Sequence, residues 1–185
     1  MYKIGFKKYF FALCILILLF SACENNIATV NIITSQINLP LQTGKNIEIL
    51  YTDSAKLKVK LLSPEMNRFQ GKNPYTECPK GVKVTFYNDS GKVASQLTAN
   101  YAIRYENLGK MEAKNDVVLI NQKGEKLNTE HLIWDQQKQL IYTNDFVKIT
   151  TANEVIFGDG LESNQNFSQY KIKNIKGTIN LNDNE

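Results

Sequence analysis

The chain has 185 residues and a formal charge of +4, from 22 basic and 18 acidic side chains. Three of the basic residues, Lys3, Lys7 and Lys8, fall in the first 22 positions. The remainder holds 19 basic against 18 acidic residues, about +1, which gives no support to a nucleic-acid footprint, since that needs a clustered basic face. One histidine, His131, and three cysteines, Cys14, Cys23 and Cys78, fall short of the three or four ligands of a zinc site once Cys14 and Cys23 are committed elsewhere.

At the N-terminus Lys3, Lys7 and Lys8 are followed by the apolar run Tyr9 to Phe20 and then by small residues before a cysteine. That is the charged region, apolar region and cleavage site of a signal peptide. The stretch Tyr9 to Ala22 would reach about 21 Å as a helix, short of the roughly 30 Å of a bilayer core. The ending Leu19-Phe20-Ser21-Ala22-Cys23 resembles the lipobox of bacterial lipoproteins, with Phe20 where an aliphatic residue is usual. The resemblance implies that residues 1–22 are a lipoprotein signal peptide and that Cys23 is lipidated. Such an anchor contributes about 0.8 kcal/mol per buried methylene. The competing reading is an ordinary signal peptide or short anchor that happens to contain a cysteine. Cys14 leaves with the signal, so Cys78 is alone in the domain and no internal disulfide can form; it is either buried and inert or open to an outside partner.

Residues 23–46 follow as a lipidated N-terminus and tether, polar, rich in Asn and Thr, and punctuated by Pro40 and Gly44. The folded domain is expected over 47–185, about 140 residues, enough for one core. Within it the apolar residues alternate with period two in Leu57-Lys-Val-Lys-Leu61, Val82-Lys-Val-Thr-Phe86, Val147-Lys-Ile149 and Tyr170-Lys-Ile-Lys-Asn-Ile175. Alternation of this kind turns one strand face to an apolar interior and the other to water. The lysines from Lys56 to Lys60 belong to the wet face.

Turn signals separate the runs at Asn88-Asp-Ser-Gly91, Asn107-Leu-Gly109, Gln122-Lys-Gly124, Asp135-Gln-Gln137 and Thr143-Asn-Asp145. Many short strands with such punctuation predict an all-β antiparallel meander, sandwich or open barrel. The stretch Lys126 to Gln139, with its β-branched and aromatic residues, reads as two short strands around a turn rather than a helix. An internal echo, Asn115-Asp-Val-Val-Leu-Ile120 against Asn144-Asp-Phe-Val-Lys-Ile149, with Leu132 against Leu161 at the same offset of 29, suggests stacked hairpins sharing one interior.

Chemistry finds little foothold. Alternation sends Glu130 and His131 to opposite faces, so with Asp135 they form no acid/base group, and no serine has a nucleophile-elbow context. Gly158-Asp-Gly160 lacks the third glycine and the strand-to-helix setting of a phosphate loop. Gly158 and Gly160 read instead as structural glycines at a bulge or tight bend. No catalytic residue, metal or cofactor is expected.

From Tyr51 to Asn180 the chain resembles the LptC family of lipopolysaccharide-export proteins, in its lipoprotein-like versions. The resemblance is carried by Pro74, Tyr75, Pro79, Gly81, Leu97-Thr-Ala-Asn-Tyr-Ala102, Asn115 to Ile120, Gly124 to Asp135, Ile141 to Thr151, Gly158 to Ser163 and Tyr170 to Gly177. Cys78 departs from the apolar or aromatic residue expected before Pro79, and a lipid anchor replaces the transmembrane helix of many relatives. The resemblance implies a twisted, open antiparallel β-jellyroll whose apolar groove holds the acyl chains of lipopolysaccharide. It further implies an inner-membrane ABC transporter that extracts the lipid, an LptA-like periplasmic jellyroll that continues the bridge, and a periplasmic address with the inner membrane favoured.

The groove is expected to be lined by Val84, Phe86, Leu97, Val118, Ile120, Val147 and Ile149, which would otherwise fill a closed core. Strands near Ile47–Leu62 and Tyr170–Leu181 are the expected open edges, the first toward the transporter and the second toward the next jellyroll. Two other classes compete: a lipoprotein enzyme acting on envelope polymers, which lacks convergent titratable groups, and a structural or adhesive surface lipoprotein β-module. Glu24-Asn-Asn26 supplies no acidic run to direct export to the surface.

Overall fold

The structure, a computed structural model, describes residues 39–181. The expected signal peptide, Cys23 and most of the expected tether lie outside the described residues. The described chain is all β, with twelve strands in one antiparallel sheet. They are β1 (Gln42–Asp53), β2 (Lys56–Phe69), β3 (Tyr75–Cys78), β4 (Val82–Tyr87), β5 (Val93–Ala99), β6 (Tyr101–Tyr105), β7 (Lys110–Asn121), β8 (Lys126–Asp135), β9 (Leu140–Thr150), β10 (Glu154–Asn164), β11 (Tyr170–Ile172) and β12 (Ile175–Asn180).

Strand β1 starts five residues before the expected boundary at Ile47, because Gln42 to Lys45 pair with Arg68 to Glu65 on β2. An edge strand needs no apolar alternation to find partners, so composition alone read this stretch as tether. The stretch Lys126 to Gln139 is one strand followed by a turn, not two strands, and Thr143-Asn-Asp145 lies inside β9 rather than reversing the chain.

A line of irregularities shows why. Register breaks fall between Lys114 and Val117 on β7, between Thr129 and Ile133 on β8, and between Asp159 and Leu161 on β10. Asn115 and Asp116 are both left-handed, at φ 64° and 54°, a conformation those two residue types tolerate. Asp145 N–H donates to the Thr143 hydroxyl at 3.0 Å. On β2 the same line crosses Pro64, where pairing passes from β4 to β3. The turn-forming residues therefore fold the sheet over rather than end its strands.

The crease divides the sheet into two leaves. One leaf holds β4, β5, β12 and the halves of β7 to β10 around Leu119, Leu127, Ile149 and Ile156; the other holds β3, β6, β11 and the halves around Ala113, Trp134, Ile141 and Leu161. Bonds along the crease secure it: the Ser63 hydroxyl donates to the Gly81 carbonyl at 2.9 Å, Asn100 N–H to the Asn115 carbonyl at 3.0 Å, and the Thr129 hydroxyl to the Phe146 carbonyl at 2.9 Å. Register carries one inward row across seven strands, Leu61, Val84, Leu97, Leu119, Leu127, Ile149 and Ile156. Burying an aliphatic side chain of this size stabilises the fold by about 1.5–3 kcal/mol.

Two glycines serve the last strands. Gly160 has φ 87° at the β9–β10 register break. A Cβ on Gly158 would meet the Ile172 side chain at 2.5 Å and the Lys173 carbonyl oxygen at 2.8 Å, so bare backbone lets the β11–β12 connection cross close over β10.

Candidate functional site

The leaves face each other across an apolar interior. Val82, Val84, Phe86 and Leu97 come from one leaf and Ala102, Met111, Ala113, Leu132, Trp134 and Ile141 from the other, around a residual cavity of about 20 Å³. That is room for about one water. Phe86 meets Trp134 edge to face across the gap, with ring centroids 5.6 Å apart. In this conformation the leaves are closed on each other, and an acyl chain needs them to part. An open hollow of about 500 Å³ lies elsewhere, where β1 and β2 meet the β3–β4 and β5–β6 connections; its Lys80 is paired with Glu65 at 2.7 Å.

The expected groove residues divide. Val84, Phe86 and Leu97 line the interior cavity, and Val147 and Ile149 are fully buried farther along the same inner face. Val118 and Ile120 face the other way, Ile120 at 39% exposed, while their neighbours Val117 and Leu119 are fully buried. The echo misled by one residue. Val117 aligns with Val147 through Thr129, and Leu119 with Ile149 through Leu127, an offset of 30 rather than 29, because β7 spends both Asn115 and Asp116 on its bulge. Sequence reasoning also missed Leu127, Trp134 and Phe167. Leu127 sits in an alternating stretch that could have found it, whereas Phe167 stands alone among polar residues.

Trp134 Nε1 and Ser95 Oγ are buried without a protein partner. Cys78 is buried, and burial pushes its thiol up against the opposing effect of a Ser63 hydrogen bond.

Glu130, His131 and Asp135 do not converge. His131 Nε2 lies 3.2 Å from Glu112, which also takes Lys114 at 2.7 Å, while Glu130 turns to the Asp116 N–H. Burial alone would raise the Glu112 carboxyl, but Lys114 and His131 together hold it below the usual range. Burial, then Glu77, pushes the Tyr101 phenol up. Among the described residues no group of three or more His, Cys, Asp or Glu could hold a metal ion, and no helix is long and apolar enough to cross a membrane.

Among curated proteins none matches the chain. The family described as lipopolysaccharide-assembly, LptC-related, matches residues 11–180, nearly the whole chain. The antiparallel sheet folded around an apolar interior is the jellyroll-like architecture expected of it. With that match and that fold, the chain belongs to the LptC-related family of lipopolysaccharide-assembly proteins and so to lipopolysaccharide transport.

Proposed function

We propose that this protein accepts lipopolysaccharide from an inner-membrane ABC transporter and passes it to an LptA-like periplasmic jellyroll, held at the membrane by a lipidated Cys23. The observation that carries this reading is the inner face: a continuous apolar row across seven strands, doubled by a second leaf. Acyl chains in water cost about 25 cal/mol per Å² of exposed surface. Two leaves that part and close on the chains would remove that cost while the sugars stay wet, and the protein would act as a carrier rather than an enzyme.

Sheet edges suit the hand-over. Among the described residues, strand β1 pairs only with β2, and β12 only with β10, so each leaves one row of backbone groups for strand addition. The proposal assigns β1 to the transporter and the Tyr170–Leu181 segment to the next jellyroll. The test is depletion in cells. Newly made lipopolysaccharide should stall at the inner membrane, and normal delivery to the surface would refute the carrier role. Crosslinkers along Tyr170–Leu181 should capture a periplasmic jellyroll partner, and their failure to do so would remove the assignment of that edge.

A further inference from the structure

We propose that Phe167 is a displaceable plug in the mouth between the two leaves, and that an acyl chain inserts between the β7–β8 turn and the β10–β11 loop by taking the place of its ring. The inference rests on the lipid-carrying function proposed above.

The loop Asn164 to Gln169 is polar except for Phe167, yet that ring is fully buried and packs with the interior cluster. It stacks on Tyr170 with centroids 4.8 Å apart, and its backbone is left-handed at φ 51°. Asn164 holds the loop in the shape that points the ring inward: its side-chain oxygen accepts from the Ser168 and Gln169 N–H groups, and its carbonyl accepts from Phe167 N–H at 3.0 Å. A conformation this constrained around one apolar side chain marks a place built to present it.

The plug is tied to the opposite leaf by Asn121. Its side-chain Nδ2 donates to the Phe167 carbonyl at 2.9 Å in a buried hydrogen bond, while its Oδ1 accepts from Lys123 and Glu125 N–H within the β7–β8 turn. One side chain thus links both lips of the mouth. Burial first, and then Glu125 and Glu154 at the ends of the first leaf, push the Tyr170 phenol of the second leaf up.

Parting the leaves at the crease would break backbone ladders along several strands. Parting them here breaks the Asn121 bond and withdraws one ring. Methylenes can replace that ring against Tyr170 with the same apolar chemistry.

The test uses the full chain in nanodiscs, with cis-parinaric acid as the acyl probe and empty nanodiscs as baseline. Asn121→Ala should speed probe association about fivefold, the worth of one hydrogen bond, and Phe167→Leu should speed it as well. Phe69→Leu is the control for general loosening, since that ring stacks on Tyr75 outside the interior cluster; its association rate should match the wild type. Wild-type rates in both mouth variants, or equal acceleration by Phe69→Leu, would overturn the plug and leave the carrier function standing. Failure of every protein, wild type included, to take up the probe would overturn both.

Discussion

Leu119 and Ile120 are neighbours in one apolar run on β7, yet Leu119 is fully buried between the leaves and Ile120 is 39% exposed on the outer face. The same contrast runs along β9, where Val147 is fully buried and Phe146 lies half exposed against Phe157. Apolar character therefore does not identify the working surface of this sheet; register does. The inner face makes the core and, on the proposed function, the lipid path, while the outer face is tolerant surface.

The sharpest way to break that comparison is truncation on each face. Leu119→Ala or Leu127→Ala should cost about 3 kcal/mol of stability by urea denaturation. Ile120→Ala should stay within about 0.5 kcal/mol, and equal losses on the two faces would refute the assignment.

Backbone approach comes next. Gly158→Ala drives a Cβ into Ile172 and the Lys173 carbonyl and should cost about 2 kcal/mol, as overpacking does. Gly177, where an added Cβ meets nothing within 4 Å, is the control and should tolerate alanine with little change.

Smaller still is the crease. Thr129→Val removes the bond to the Phe146 carbonyl and should cost about 1 kcal/mol. Hydrogen exchange should show the Phe146–Val147 amides opening sooner than in the wild type.

The smallest effect lies outside both, at Glu112. Its lowered pKa means that its contribution is present above the ordinary carboxylate pKa and is lost as pH falls through the lowered value. Glu112→Gln should be less stable than the wild type at neutral pH, with the gap closing in acid; a gap independent of pH would show that the charge is not responsible.

Much of the fold was legible in the residues. Period-two alternation from Leu57 to Leu61 and from Val82 to Phe86 placed strands correctly, and Asn88 to Gly91 and Gln122 to Gly124 lie at chain reversals. Inner and outer faces were legible only where the alternation was clean. In Val117-Val-Leu-Ile120 four apolar residues in a row carry no phase, and the echo supplied the wrong one because bulges on neighbouring strands differ in length. Turn chemistry was the other source of error. The residues that reverse a chain at Asn88 also bend a continuous strand at Asn115 and Thr143, and only pairing with neighbouring strands distinguishes the two outcomes. Phe167 was hidden because one aromatic in a polar loop has no period, and its burial depends on a loop shape set by Asn164.

The most direct test of the central claim is a pair of photo-crosslinking residues introduced separately at Leu97 and Ile120, on opposite faces of paired strands, in cells making labelled lipopolysaccharide. The account predicts lipopolysaccharide adducts from position 97 and none above background from position 120. Adducts from both positions alike, or from 120 alone, would contradict it.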